Sequence, residues 1–359
     1  MDNIENENIY WAQVISDRWN LSGQYKILNS EFDFNFELLQ SDNRKFIIKI
    51  MREGCKRAFL DAQVSILEFL REEEVELPIP QIIKSTSGNN YELVADLNSN
   101  ERIIWVLEKI DGIMLSEASP ISKHLMLDLG RQVATLDLAS KKFTKDINPP
   151  SNKWNLTKPL WIRDNISEIQ DSELEIIINK TLDDFLRISD RLTQLPHYWI
   201  HNDLNDQNLL VGVSSDGQTA LSGILDFGDL SKSPTICNIA ICSAYLLILP
   251  EIGLNLQLEF LRGYHSINPI SEEELEILYT LIMTRLAVSY VNSLMMSKDK
   301  PGDPYVIISQ KDSKKFLLNI ASCKNFLTSR FRNVCGLPPV KGGTDVIEYL
   351  AQGKVGFHP

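Results

Sequence analysis

Two apolar runs in the second half of the chain break off into acid. YWI at 198–200 leads into HNDLNDQN at 201–208, and GIL at 223–225 leads into DFGD at 226–229. Asn208 and Asp226 stand 18 residues apart. A polar string after a strand-like run is common in surface loops. Two of them, in this order and each closing a β-like segment, demand a fold that brings two strand ends to one polar site. The rest of the chain has to be read around that requirement.

Organisation along the chain agrees with two lobes. At 359 residues, it exceeds what one average core supports. Residues 9–19 carry Ile9, Trp11, Val14, Ile15 and Trp19 at helical spacing. YKILNS, FNFELLQ and, after the turn signal SDNR, KFIIKI read as strands. Residues 56–73 form an amphipathic helix with Leu60, Val64, Leu67 and Leu70 on one stripe. PIPQIIK, YELVADL and RIIWVLEKI add extended pieces. From 122 onward helical periods dominate, at 122–141, 173–192, 255–264, 272–296 and 312–330. The expected fold class is α+β and bilobal, protein-kinase-like. A small mixed α/β N-terminal lobe with an antiparallel sheet spans residues 1–110, and a large, mainly helical lobe spans 111–359.

In that arrangement HNDLNDQN is a catalytic loop. Phosphoryl transfer needs an oxygen acceptor near the attacking hydroxyl and cations to offset charge on the phosphates. Asp203 is placed to accept the hydroxyl proton, with His201 bracing the loop. Asn208 offers a neutral oxygen to a metal, and Asp226 a hard anionic one, which suits Mg2+. Lys49, deep in the apolar run KFIIKI, is costly there unless paired. Gln63 and Glu68 on the following helix are both candidate partners, and snorkelling at a sheet edge is the plainer alternative. Neither GxGxxG nor GxxxxGK[ST] occurs, which disfavours a P-loop enzyme. Ser30, in NSEFDFNF between the first two strands, is a candidate phosphate donor or a plain hairpin residue. Glu108 and Ile110 in LEKIDG offer backbone groups to a purine edge.

Composition sets the remaining bounds. The net charge of −12 and the lack of a basic stripe argue against a nucleic-acid partner. ICNIAICSAYLLILP at 236–250 is interrupted by Asn238 and reads as a buried helix, so no membrane span is expected. Five cysteines without a CxxC pair, and an acidic start without an apolar leader, point to reduced thiols in a cytoplasmic protein. A small-molecule substrate, a nucleotide, and a monomer or homodimer are the expected partners and state.

HNDLNDQN with LDFGD resembles the aminoglycoside phosphotransferase/choline kinase superfamily, whose loop reads HxDxxxxN and whose metal motif reads [IL]D[FW]. Over nearly the full chain the closer likeness is to the hydroxylysine kinase-like branch. SEFDFNF is similar to its SExDxNF, LGRQVATLDLASKKF to its LGxxLAxLDxALxxF, GDPYVIIS to its DNPYxxxS, and FRNVCGL to its FRxACG. EEELEILYTLIMTRLAVSYVNS resembles its long helix. The resemblance implies that Asp203 is the base, that Asn208 and Asp226 bind magnesium, and that Lys49 contacts phosphates of ATP or GTP. One departure stands out: where the superfamily commonly has an acid in a DLA-like segment, this chain reads Asn238-Ile239-Ala240.

The acceptor is less legible. Asn202 rather than Arg precedes Asp203, and no APE-like anchor follows LDFGD, which disfavours a protein substrate. Asp206, Asp229, Glu251 and Asp303 could hold an ammonium group. Arg285, in an otherwise apolar helix, fits either a substrate carboxylate or a structural ion pair. The expected activity is transfer of a γ-phosphoryl group to the hydroxyl of a hydroxylysine-like or homoserine-like amino acid. An aminoglycoside or a choline/ethanolamine-type acceptor is the alternative, and a catalytically silent nucleotide-binding regulator is the alternative from another class.

Overall fold

The computed structural model describes residues 2–28, 33–73, 76–299 and 304–340. The chain divides into two compact units. The first comprises Met1–Gly112 with Thr144–Pro150 and Gly223–Gly228. The second comprises Ile113–Phe143, Ser151–Ser222 and Asp229–Pro359.

The first unit opens with α1 (Asp2–Trp19), followed by β1 (Gln24–Leu28), β2 (Phe34–Leu39) and β3 (Lys45–Ile50). Next come α2 (Arg57–Glu72), β4 (Ile82–Ile83), β5 (Glu92–Ala95) and β6 (Glu101–Glu108). The six strands form one antiparallel sheet in the order β1-β2-β3-β6, with β4 and β5 sharing the far edge of β6. Alternation in KFIIKI puts Phe46, Ile48 and Ile50 on the buried face. They join Trp11, Ile15 and Trp19 of α1 in one core with Phe36, Leu38, Ile104 and Val106. Each large side chain buried there contributes roughly 1.5–3 kcal/mol. β6 is buried from Ile103 to Leu107, as befits a strand flanked on both edges. In α2 the predicted stripe is buried, and Gln63 is buried with it.

The second unit begins with β7 (Ile113–Met114), α3 (Lys123–Lys141) and α4 (Ser172–Gln194), with a 3-10 run at Pro159–Glu168 between the helices. Then come β8 (Tyr198–Ile200), β9 (Leu209–Val213), β10 (Thr219–Ile224) and β11 (Ser231–Ser233). Five helices follow: α5 (Ile236–Ile248), α6 (Gly253–Ile267), α7 (Glu272–Asp299), α8 (Pro304–Ile320) and α9 (Lys324–Val334). Among the described residues α7 alone is long and apolar enough to cross a membrane, and 94% of its apolar window is buried inside the fold. α5 is apolar on every side and buried almost throughout, as its sequence predicts. α3 and α6 pack without room for side chains where they touch. A methyl group on Gly130 would run into Phe260 O, and one on Gly263 into Leu127 O.

One helix differs from expectation. The stretch 312–330 is not continuous but splits into α8 and α9, with a turn at 321–323. Tyr279 on α7 donates from its hydroxyl to Ile320 O at 2.8 Å and sits 3.2 Å from Ala321 O. These carbonyls are orphaned by the helix end, and a distant side chain supplies their donor. Local periodicity carries no sign of that partner.

Candidate active site

The first unit holds the residues expected to meet a nucleotide. Lys49 lies on β3 opposite Asn35 and Trp105. Its Nζ is 3.5 Å from Asp226 Oδ2 and 5.8 Å from the Trp105 ring centroid. The Lys49 side chain is largely buried while that of Asp226 is half exposed. Asp226 is drawn into this unit by its chain neighbour: Ile224 N–H donates to Pro78 O at 2.7 Å. The Asp226 backbone has φ +57°. That left-handed conformation costs an L-residue roughly 1–2 kcal/mol, and aspartate tolerates it better than most. Asp226 Oδ1 accepts from Gly228 N–H at 3.1 Å, which turns its carboxylate. A side chain at Gly228 would come within 3.0 Å of that oxygen.

Neither predicted helix partner pairs with Lys49. Gln63 Nε2 lies 3.5 Å from Phe59 O. Glu68 accepts from Asn90 Nδ2 at 2.9 Å and pairs with Lys84 at 3.7 Å. The acid that meets Lys49 is instead Asp226, far along the chain. At the expected purine edge, Glu108 N–H is spent on Gln81 O and Lys109 N–H on Lys45 O. Ile110 is the first residue past those bonds. Ser30 lies outside the described residues.

The second unit holds the loop. β8 pairs antiparallel with β11, Ile200 opposite Ser231, so His201 leaves the ladder at a fixed point. His201 is buried, and its Nδ1 accepts from Asp203 N–H at 3.2 Å, a contact within this loop. Asn205 organises the turn: its Oδ1 accepts from the N–H groups of Gln207 and Asn208 at 2.9 and 3.0 Å. Its Nδ2 donates to Asp203 Oδ2 at 2.9 Å. Asn208 donates from Nδ2 to Asp203 O at 2.9 Å and to Asp203 Oδ2 at 2.8 Å. Both amide donors face Asp203, so the Asn208 amide oxygen is the group left to offer a metal. The sequence reading passed over Asn205, although Asn is a common turn-forming residue whose side chain bonds the backbone two residues on.

The loop is also held from below. Asn202 has φ +65°, and its N–H donates to Asn238 Oδ1 on α5 at 2.9 Å. Asn238 Nδ2 in turn donates to Asp137 Oδ1 on α3 at 2.7 Å. Asp137 Oδ2 accepts from the Tyr264 hydroxyl on α6 at 2.7 Å, and that hydroxyl accepts from Asn268 Nδ2 at 2.8 Å. Asp137 is fully buried. Burial pushes its carboxyl up to about 7, against the pull of Tyr264, Asn238 and the nearby Lys141 charge, with Glu274 adding to the rise. The missing acid at position 238 is thus replaced by an amide that relays a carboxylate from another helix. In the sequence Asp137 stood inside the family-like segment LGRQVATLDLASKKF, but nothing there pointed to a partner on α5.

Arg285 is the other supporting side chain. It is 1% exposed, and its Nη2 donates to Asp203 Oδ1 at 2.8 Å. Of the two expected pairings, the structural one is present, as an ion pair with the loop aspartate. Of the acids expected near the acceptor, Asp206 has its carboxyl raised to about 6 by burial and by the charges of Asp203 and Asp312. Asp206 O accepts from Ser116 N–H at 3.2 Å. Asp229 O accepts from Asn152 Nδ2 at 3.1 Å. Glu251 is exposed at the end of α5. Asp303 lies outside the described residues.

In the first unit Asp226 offers a carboxylate oxygen, and in the second Asn208 offers an amide oxygen; both are hard donors of the kind magnesium takes. Among the described residues no group of three His, Cys, Asp or Glu side chains could hold a metal ion.

The comparisons with known proteins follow the same line. The model of the phosphotransferase enzyme family, APH, matches residues 24–276. A hydroxylysine kinase of Danio rerio is 23% identical over 301 residues, covering 81% of each chain. Among solved structures, the amicoumacin kinase hAmiN in complex with AMP-PNP, Ca2+ and Ami aligns with a TM-score of 0.65 at 16% identity. That alignment covers 87% of this chain and 93% of the other. The microcompartment-associated aminopropanol kinase aligns with the same score at 17% identity, covering 92% and 99%. The fold is therefore the kinase-like one expected from the sequence, with an antiparallel sheet first and a helical part after it.

Proposed function

The chain belongs to the phosphotransferase enzyme family, and from that premise we propose that it moves the γ-phosphoryl group of ATP or GTP to a hydroxyl of an amino-group-bearing metabolite. It is a small-molecule phosphotransferase acting on hydroxyl groups. The observation that carries the finer reading is the state of Asp203. Its carboxylate is oriented by Asn205, Asn208 and Arg285, yet is still 18% exposed.

In this reading the acceptor hydroxyl gives its proton to Asp203. Its oxygen bonds to the γ-phosphorus as the bridging oxygen leaves with the nucleoside diphosphate. Magnesium, when bound, neutralises charge developing on the phosphates. Asn208 and Asp226 are the residues that would hold it, and Lys49 adds a cation for the phosphates. His201 and the Asn238–Asp137 relay keep the loop in shape.

A hydroxylated amino acid is the first choice of acceptor, supported by the hydroxylysine kinase relatives. Arg285 no longer adds to that case, because it is committed to Asp203. Among the described residues Asp206, Asp229 and Glu251 are the candidate acids for an ammonium group, which an amino alcohol or aminoglycoside would also satisfy. The silent-regulator reading rested on Asn238, and Asp137 now supplies the carboxylate one side chain further on. Five free cysteines suit a reducing cytoplasm.

The testing experiment is thermal stability with ATP or GTP, with and without magnesium, followed by an acceptor screen beginning with hydroxylysine. Ligand at 100 times its Kd stabilises the folded state by roughly 2.7 kcal/mol. A magnesium-dependent rise in Tm and a phosphorylated product are expected. No shift with either nucleotide at millimolar concentration would overturn the reading.

A further inference from the structure

An arginine inside an apolar helix is an expensive way to fill space. Arg285 is flanked on α7 by Thr284 and Leu286, both buried. A buried ion pair is often no more stabilising than well-packed apolar residues of the same volume. Stability alone is therefore a poor reason for this side chain. Its surroundings suggest another. Nη2 reaches Asp203 Oδ1 at 2.8 Å and Tyr245 Oη at 3.2 Å, and Nη1 reaches Trp154 O at 3.3 Å. The guanidinium carbon lies 4.7 Å from the Trp154 ring centroid and 5.3 Å from that of Tyr245. Two aromatic faces, a carbonyl and a hydroxyl thus fix a planar cation that is ion-paired with Asp203, with the Asp229 charge also acting on it.

The acceptor sites on Asp203 can be counted. A carboxylate oxygen accepts about two hydrogen bonds. Oδ2 takes two, from Asn205 and Asn208. Oδ1 takes one, from Arg285, among the described residues. The open position belongs to Oδ1, and the direction in which it points is set by the guanidinium. Resting on the reading of Asp203 as the base, we propose that Arg285 is a positioning residue that aims the open lone pair of Asp203 Oδ1 at the acceptor hydroxyl. Trp154 and Tyr245 hold the guanidinium in register and thereby set the approach of the substrate. Arg285 touches no reacting atom, and it is not a carboxylate receptor.

The test uses the full-length protein with Arg285→Ala and Arg285→Lys, magnesium-nucleotide, and hydroxylysine as acceptor. Misaiming a catalytic group by an ångström costs on the order of 10²-fold in rate. Arg285→Ala should lower kcat by about that factor while KM for the nucleotide stays within about twofold. Guanidinium chloride at tens of millimolar should restore at least about fivefold of the loss, and equimolar urea should restore none. Arg285→Lys, which keeps the charge but loses the planar fork, should fall between the two and serves if the alanine variant does not fold. Wild-type kcat in either variant, or a loss untouched by guanidinium, would overturn the proposal. Asp203→Asn run in parallel separates the two readings: if that variant keeps full turnover, the assignment of the base has failed. If hydroxylysine is not turned over, the same comparison is read on magnesium-nucleotide hydrolysis, in which water takes the hydroxyl's place.

Discussion

The buried carboxyl of Asp137 gives the structure a pH-dependent stability that a single isosteric change should remove. Its folded pKa is about 7 against an ordinary value of 3.8, with burial the leading cause. The folded state therefore binds this proton more tightly than the unfolded one. Stability from this group is complete below pH 4, declines as pH rises, and is lost once pH passes 7. A difference of about three pKa values corresponds to roughly 4 kcal/mol in total. Between pH 5.5 and 8.5 the change is roughly 2 kcal/mol by the same linkage relation. For a cooperative unit of 150–250 residues that is a Tm change of about 4–8 °C. Asp137→Asn keeps the acceptor for Asn238 Nδ2 and places an amide where Tyr264 sits, but has nothing to titrate. The groups around the carboxyl include Asn238, Tyr264, Lys141, Glu274 and the buried Cys237 and Cys242 thiols. The assay is Tm against pH for both proteins, followed by near-UV circular dichroism. Wild-type Tm, less that of the variant, should fall by several degrees across this range. A constant difference would refute the argument and show Asp137 to be ionised, or protonated, throughout.

Other outcomes follow from the same geometry. Asp203→Asn should lower kcat by roughly 10²–10⁴-fold while leaving the nucleotide-induced Tm shift in place; wild-type turnover would remove Asp203 as the base. Asp226→Asn should abolish the magnesium dependence of nucleotide binding, and Lys49→Met should raise KM for the nucleotide more than it lowers kcat; calorimetric titration and steady-state rates check the pair. Asn202→Val forces a β-branched residue into φ +65°, at a cost of at least about 1–2 kcal/mol, so both Tm and kcat should fall, and Asn202→Gly should recover most of the Tm. Gly130→Ala sets a methyl group against Phe260 O and should destabilise by about 1–3 kcal/mol or more, read as urea midpoint, with KM for the nucleotide unchanged.

Much of the architecture could be read along the chain because its signals are local. Alternation in KFIIKI, the stripe in 56–73 and the apolar run at 236–248 each report a burial pattern that any fold must respect. The candidate loop was equally legible, since His201, Asp203, Asn205 and Asn208 contact one another within eight residues. What could not be read were partners separated by roughly 40 to 180 positions. Lys49 pairs with Asp226 rather than with Gln63 or Glu68. The turn between α8 and α9 depends on a hydroxyl from α7. The acid missing at Asn238 reappears as Asp137 on α3, and Arg285 meets Asp203 across 82 residues. Periodicity says that a side chain is buried, because the cost of leaving it in water is paid locally. It does not say against what, because hydrogen bonds and ion pairs depend on distances that only the packed helices and sheet define. The residue types and spacing of the 201–208 loop were thus determined by the sequence. The orientation of its Asp203, and the groups that hold it, were decided only by the tertiary structure.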